Sequence, residues 1–415
     1  MNRLQDTGEK IVIVIDPGHG GENLGTTENG FEEKSMNMIT ASAMYEELCQ
    51  YDNIEVYMTR TDDVDLSLKE RAEFAAGVDA DFMISLHYNA SECHELFGSE
   101  IWVQMDAPNN VYGYQFGKIW LEALGDRGLF VRGIKTREGK NGDYYGILRE
   151  AAKLDVPTVI IEHCHVDESR DVIYCDSDED LILFGKEDAT AVAKYFGLKS
   201  STLNVDYSDF VLEKVNPSVP VPITVEDTSA PEVCSIEFLS ADYETGQLSF
   251  TVSATDYDSP LFNYSYSLDG GLTFGERAVW PGVNTLTGEF TDTFVLNLTI
   301  PDGVRPDVVF RAFNMFGLYT DSPVYSSPQT FMRPGKEQEE NNGDITPGTP
   351  DTTGSSELSD SGVMVPADAV NVAGKKGFSF FTFLCISLIV VVIIFVILLI
   401  SQYKTKRNNR RRDRF

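Results

Sequence analysis

Apolar residues recur along this chain in two rhythms, and the change between them divides it. Between Ile11 and about Leu198, short apolar runs alternate with stretches whose apolar positions return every three or four residues. The first run, Ile11 to Ile15, stops at Asp16-Pro17-Gly18-His19-Gly20-Gly21, which reads as a buried strand delivering a histidine onto a tight turn. Ile54–Thr59, Asp81–Leu86, Ile101–Gln104 and Pro157–Glu162 predict further strands. Met36, Ile39, Ala43, Met44 and Leu48 share one helical face, and helices are also predicted over Leu68–Ala76, Val111–Leu124 and Asp178–Phe196. Tyr145–Leu148 is a short apolar segment, and Gly125–Gly142 reads as a loop. This alternation predicts an α/β domain over residues 1–199, a mostly parallel sheet flanked by helices.

Residues 200–226 are polar and proline-containing, and form a predicted linker. Over residues 227–333 the period falls to two. Leu248, Phe250, Val252 and Ala254 alternate with Ser249, Thr251, Ser253 and Thr255, and Asp269-Gly270-Gly271 supplies a turn. An all-β immunoglobulin-like sandwich is expected there, with Trp280 either in its core, the favoured reading, or on a sugar-stacking face; Asp256 and Asp258 are too few for a calcium cage. Residues 334–376, rich in Glu, Asn, Gly, Thr, Ser and Pro, read as a disordered stalk. Segment 377–401 contains 23 uncharged residues from Phe378 to Ile400, enough to span a bilayer as one transmembrane helix. A basic tail, 402–415, follows with seven Lys and Arg.

Charge and cysteine content narrow the options. A formal charge of −32 over 415 residues excludes nucleic acid as a partner. The six cysteines show no CxxC pair and no regular spacing, so neither a disulfide framework nor a cysteine-type zinc site is expected. The basic tail belongs on the cytoplasmic side of a cell membrane, which puts residues 1–376 outside it. Residues 1–10 are polar and carry no secretory signal, so the expectation is an upstream signal or an export route that these residues do not disclose.

Three predicted strands end in His19, His87 and Glu162, and in open α/β sheets the strand ends pool their side chains in one crevice. Two imidazoles and a carboxylate suit zinc. The third ligand falls to Glu33, at the start of the helix after the first strand, with Glu32 as a solvated neighbour that competes for the role. Glu162 ends an apolar run, and a buried carboxylate is costly unless paired or functional. It reads either as a general acid/base or as the partner of an arginine such as Arg149.

The motifs Val14-Ile15-Asp16-Pro17-Gly18-His19-Gly20-Gly21, Glu33-Lys34 with Asn37, Thr59-Arg60-Thr61-Asp62 with Leu68 and Arg71, Ser85-Leu86-His87-Tyr88-Asn89-Ala90, Gly98-Ser99-Glu100, Leu148-Arg149 and Pro157–Glu162 occur in that order. Together they closely resemble the zinc-dependent N-acetylmuramoyl-L-alanine amidases of bacteria, over residues 11–198. The resemblance implies Zn2+ held by His19, Glu33 and His87, Glu162 as the catalytic carboxylate, Arg149 as a substrate-positioning residue, and peptidoglycan as substrate. It also implies an α/β fold with a mostly parallel sheet, and it allows the Gly125–Gly142 loop to line a substrate groove. The competing class is a non-catalytic wall-binding or scaffold protein on the same fold. The sandwich reads as a spacer or wall-contact module. His163-Cys164-His165 and Ala76-Gly77 depart from the family pattern; strand alternation puts Cys164 on the Glu162 face and both histidines on the other, as packing residues. His94 reads as a surface residue.

Overall fold

β1 (Ile11–Pro17) opens on five consecutive apolar residues, Ile11 to Ile15, because both of its faces are covered, as is usual for a parallel strand. The computed structural model describes residues 10–333 apart from 222, 223, 226 and 285–290; the expected stalk, membrane helix and basic tail lie outside the described residues. Among the described residues no helix is long and apolar enough to cross a membrane.

β1 is followed by α1 (Glu33–Leu48), β2 (Ile54–Met58), α2 (Leu68–Gly77), β3 (Phe82–Asn89), β4 (Ser99–Val103), α3 (Asn109–Arg127), β5 (Val131–Thr136), α4 (Gly146–Ala152), β6 (Thr158–His165) and α5 (Asp178–Phe196). α2 starts where it does because Ser67 and Glu70 form a reciprocal capping box. α5 runs from an Ser177 cap through an acidic first turn to Gly197, whose left-handed φ of 63° ends it. With β7 (Thr224–Val225), the strands make one seven-stranded sheet in the order β7-β5-β4-β6-β3-β1-β2. α1, α3 and α5 cover one face over a core of Ile13, Ile84, Phe116, Trp120, Ile161 and Phe184. α2 and α4 cover the other, over Val14, Met83, Trp102, Leu148 and Ile160.

Three points refine the expectations. First, the sheet is mostly parallel as expected, with five of its six pairings parallel, and the exception is β4, which runs antiparallel to β6. Residues 90–98, between β3 and β4, contain no helix, and so short a connection reverses the chain where a parallel crossover would need a dozen residues or more. Secondly, Gly125–Gly142 is not a loop; it holds the end of α3 and the whole of β5, whose buried Arg132 and Lys135 disguise the strand. Thirdly, the alternation expected after Glu162 fails. A register shift between β3 and β6 follows Glu162, and Cys164 packs with Val166 and Cys175 in the α1/α3/α5 core. The predicted linker is also tied to the domain, through β7 and through Lys118, whose ammonium meets the Glu213 carboxylate at 2.8 Å.

Beyond Asp227 the chain forms two antiparallel sheets. β8 (Val233–Asp242), β9 (Gln247–Thr255) and β12 (Thr293–Thr299) make one; β10 (Leu261–Ser267), β11 (Ala278–Val279), β13 (Asp307–Asn314), β14 (Tyr319–Asp321) and β15 (Tyr325–Ser326) make the other. Their inner faces share a core of Leu248, Phe250, Val252, Leu296, Phe310 and Trp280. Trp280 is fully buried, and its indole N–H donates to the Thr291 carbonyl at 2.6 Å, so it is core as expected. This β-rich domain and the α/β domain form one compact unit.

Candidate metal centre and catalytic carboxylate

The turn after β1 is shaped by what must lie against it. A methyl group at Gly18 would collide with the His87 ring, and one at Gly25 with the Glu33 carboxylate. His19 itself sits at φ 62°, a left-handed conformation unfavourable for a residue with a Cβ. Two buried arginines hold it there. Arg71 donates to the carbonyls of Pro17 (2.8 Å) and His19 (2.7 Å) and to the Asp16 carboxylate (2.8 Å), which also accepts from Thr59 (2.6 Å) and Ser85 (2.8 Å). Arg60 donates to the carbonyls of Pro17 (3.0 Å), Gly18 (2.9 Å) and Lys34 (2.9 Å). Sequence reasoning named these residues only as motif members; their common work is to fix the histidine turn.

His19, Glu33 and His87 come together as expected, their ligand atoms all within 4.8 Å of one another. Glu33 Oε1 lies 3.1 Å from His19 Nε2 and 2.9 Å from His87 Nδ1. His19 Nδ1 meets Asn23 Oδ1 at 2.9 Å, an outer contact that orients the ring and leaves Nε2 free for a ligand. Two imidazole nitrogens and one carboxylate oxygen converging on one point fit a divalent transition metal and leave a side open. Burial opposes the charge on Glu33, but hydrogen bonds from His19 and His87 outweigh it and hold its carboxyl well below the usual range. Burial likewise lowers His19, and the Glu33 contact more than compensates, raising it. Glu32 is exposed at the N-cap position of α1, where its carboxylate accepts from the Ser35 hydroxyl at 2.8 Å, and it is not among the converging donors.

Glu162 is the register partner of His87 across β3 and β6. Its Oε2 is buried with no hydrogen-bond partner among the described residues. Arg149 does not reach it: one guanidinium nitrogen instead donates to the carbonyls of Asp143 (2.7 Å) and Tyr144 (3.0 Å), bracing the loop before α4. The reading of Glu162 as half of a structural ion pair with Arg149 therefore fails. Burial above all, then the negative charges of Glu33 and Glu100, push the Glu162 carboxyl well above its usual range. Tyr145 was not singled out from sequence, yet its phenol lies close enough to feel Glu162, and its ring packs on Trp102 at 4.9 Å between centroids.

A carboxyl raised on folding binds its proton more tightly in the folded state, so its contribution to stability is complete below the unfolded value of about 4.3 and is lost as pH rises through the folded value. Metal-free Glu162→Gln protein is expected to melt at a higher temperature than metal-free wild type at pH 8, by about 5 °C, with the gap closing near pH 4. Parallel melting curves across that range would show that Glu162 carries no such strain.

The other histidines are structural. His163 is fully buried, with Nε2 at 2.9 Å from Asp188 and Nδ1 at 3.0 Å from the His87 carbonyl, and it stacks on Tyr88. It braces the strand that carries His87. His165 meets the Gly98 carbonyl at 3.1 Å, and exposed His94 meets Asp167 at 3.0 Å.

Residues 13–194 match the family model described as N-acetylmuramoyl-L-alanine amidase. The amidase CwlM of Bacillus licheniformis is 29% identical over 192 residues, covering 46% of this chain and 71% of that protein. The sporulation-specific N-acetylmuramoyl-L-alanine amidase of Bacillus subtilis is 28% identical over 193 residues, covering 46% and 71%. Among solved structures, the catalytic domain of CwlV, an amidase from Bacillus (Paenibacillus) polymyxa var. colistinus, aligns at 27% identity and a TM-score of 0.40, covering 46% of this chain and 99% of that one. The family match ends ahead of the β-rich domain and contains all four residues of the candidate centre, so residues 13–194 are similar to N-acetylmuramoyl-L-alanine amidases.

Proposed function

We propose that the chain hydrolyses the amide joining the lactyl group of N-acetylmuramic acid to L-alanine in peptidoglycan, with Zn2+ as cofactor. The observation that carries this reading is the buried Glu162 Oε2, without a hydrogen-bond partner among the described residues, on the strand position opposite His87 of the His19–Glu33–His87 cluster. Zn2+ held by those three residues would polarise the scissile carbonyl and lower the pKa of water toward about 7. Glu162 takes the proton of the attacking water on its free oxygen and returns it to the departing alanine nitrogen. Its pull toward the protonated form, from burial and from Glu33 and Glu100, suits the second half of that cycle. Arg149, within α4, would orient the substrate with the nitrogens not spent on the Asp143 and Tyr144 carbonyls.

The test is digestion of purified peptidoglycan by the intact chain. New L-alanine amino termini without new reducing sugar ends, abolished by chelation and restored by Zn2+, are the expected products. Release of sugar ends, or of internal peptides, would replace this reading. A non-catalytic scaffold of the same fold would release nothing, and retention of all four site residues argues against it.

The reading extends to the whole chain as an enzyme held at the cell membrane by segment 377–401, with residues 402–415 in the cytoplasm and the amidase outside, where peptidoglycan lies. The β-rich domain, an immunoglobulin-like sandwich in this reading, then stands between membrane and amidase. Protease added to intact, wall-stripped cells should release the amidase domain; protection until lysis would reverse the orientation.

A further inference from the structure

The antiparallel seam between β4 and β6 sets Glu100 directly opposite Glu162, and residues so paired share a face with Cβ atoms about 5 Å apart. Two buried carboxyl groups at that spacing repel unless one is firmly held. Glu100 is held from four directions: by Arg132 Nε (2.8 Å), Lys135 Nζ (2.5 Å), Asn89 Nδ2 (3.1 Å) and Trp102 Nε1 (3.2 Å). Its lone pairs are thereby engaged away from Glu162, whose own free oxygen stays free.

Both cations are fully or nearly buried, and part of what buries them comes from the other domain. Arg132 Nη2 donates to the Met315 carbonyl at 2.9 Å, across 183 residues of sequence. The Lys135 ammonium lies 5.4 Å from the Trp102 ring and 5.2 Å from the Phe316 ring. Phe316 also packs against the Trp102, Leu148 and Ile160 cluster, extending the α2 and α4 layer with a residue from the sandwich. The turn that presents it is rigid: Asn314 Oδ1 accepts from the N–H groups of Phe316 (3.0 Å) and Leu318 (3.1 Å), and Gly317 takes φ 80°. Around this point the joint continues. Phe130 meets Phe262 at 5.4 Å, Arg170 donates to the Arg277 carbonyl at 2.6 Å, and the Arg277 guanidinium reaches Glu95 at 2.7 Å.

We propose that the sandwich turn Met315–Gly317 is a working part of the amidase: by closing over Lys135 and Arg132 it keeps them on Glu100, and so holds Glu162 in position for proton transfer. This rests on the hydrolytic reading above. Phe316 is a positioning residue, since it acts through Lys135 and Glu100. On this proposal the sandwich, expected from its sequence as a spacer or wall-contact module, also supports the amidase centre, and losing its grip should slow turnover rather than weaken binding.

The experiment compares full-chain wild type with Phe316→Ala and Phe316→Tyr for kcat, KM and bound zinc. Phe316→Ala opens the Lys135–Glu100 pair to water, and the expected result is a kcat lower by about tenfold, a KM within about twofold and unchanged zinc content. Phe316→Tyr keeps the ring face and should restore kcat to within about twofold. Should Phe316→Ala fail to fold, Phe316→Leu replaces it, keeping apolar bulk without a ring face, with the same expected loss. Wild-type kcat in the folded Ala or Leu variant, a loss confined to KM or zinc, or no rescue by Tyr would each overturn the proposal. Wild type without activity on peptidoglycan would instead overturn the hydrolytic reading, a separate outcome.

Discussion

Glu162→Gln protein should bind as much Zn2+ as wild type and hydrolyse peptidoglycan more slowly by a factor of about 10² to 10⁴. The metal should stay because Glu162 is not among the three convergent donors, and because glutamine keeps the size of a side chain whose Oε2 has no hydrogen-bond partner among the described residues. The rate should fall because the amide of glutamine can neither take a proton from water nor hand one to the leaving nitrogen, and no second carboxylate is free to replace it. Glu33 is engaged by His19 and His87, and Glu100 by Arg132 and Lys135. His87→Ala should differ in kind, losing metal and activity together. Wild-type turnover by zinc-loaded Glu162→Gln would remove Glu162 from the chemistry, and loss of zinc from it would make the residue a ligand.

The second large effect is on stability. Arg71→Met should lower the melting temperature by about 10 °C and weaken zinc binding by about 10- to 100-fold, although Arg71 touches none of the metal donors. Arg71 is buried with its guanidinium on Asp16, and removing it strands a buried carboxylate, which typically costs about 3–5 kcal/mol. The effect on zinc follows from the His19 carbonyl, whose bond to Arg71 helps keep a left-handed histidine aimed at Glu33. Calorimetric unfolding and zinc titration would measure both. A shift under about 2 °C with unchanged zinc affinity would mean that the turn is held by Arg60 and the strand alone.

Much of the α/β domain is legible in the sequence, for reasons that are local. β1 announces itself because five consecutive apolar residues need cover on both faces, and the Pro and Gly residues after it mark a turn. α5 was bounded at both ends, since a serine cap, an acidic first turn and a closing glycine all act within one turn of the helix. The His19, Glu33 and His87 set was reachable because each residue sits at the end of a strand or the start of a helix, where the sheet delivers it to one edge.

The sequence by itself determined the two rhythms and put His19, Glu33 and His87 at strand ends and a helix start, because these features depend on neighbours a few residues away. Only the tertiary structure decided what the charges do. β5 was hidden because a buried arginine and lysine look like surface residues until Glu100 is seen between them. Arg149 looked like a partner for Glu162 until the Asp143 and Tyr144 carbonyls claimed it, and the linker looked free until Thr224 and Val225 joined the sheet edge. The reversal of β4, which sets Glu100 against Glu162, and the sandwich turn over Lys135 depend on contacts between segments far apart in the chain. Such contacts leave no periodic trace, since a buried charge is stabilised by whichever partner the fold brings to it rather than by any residue near it in sequence.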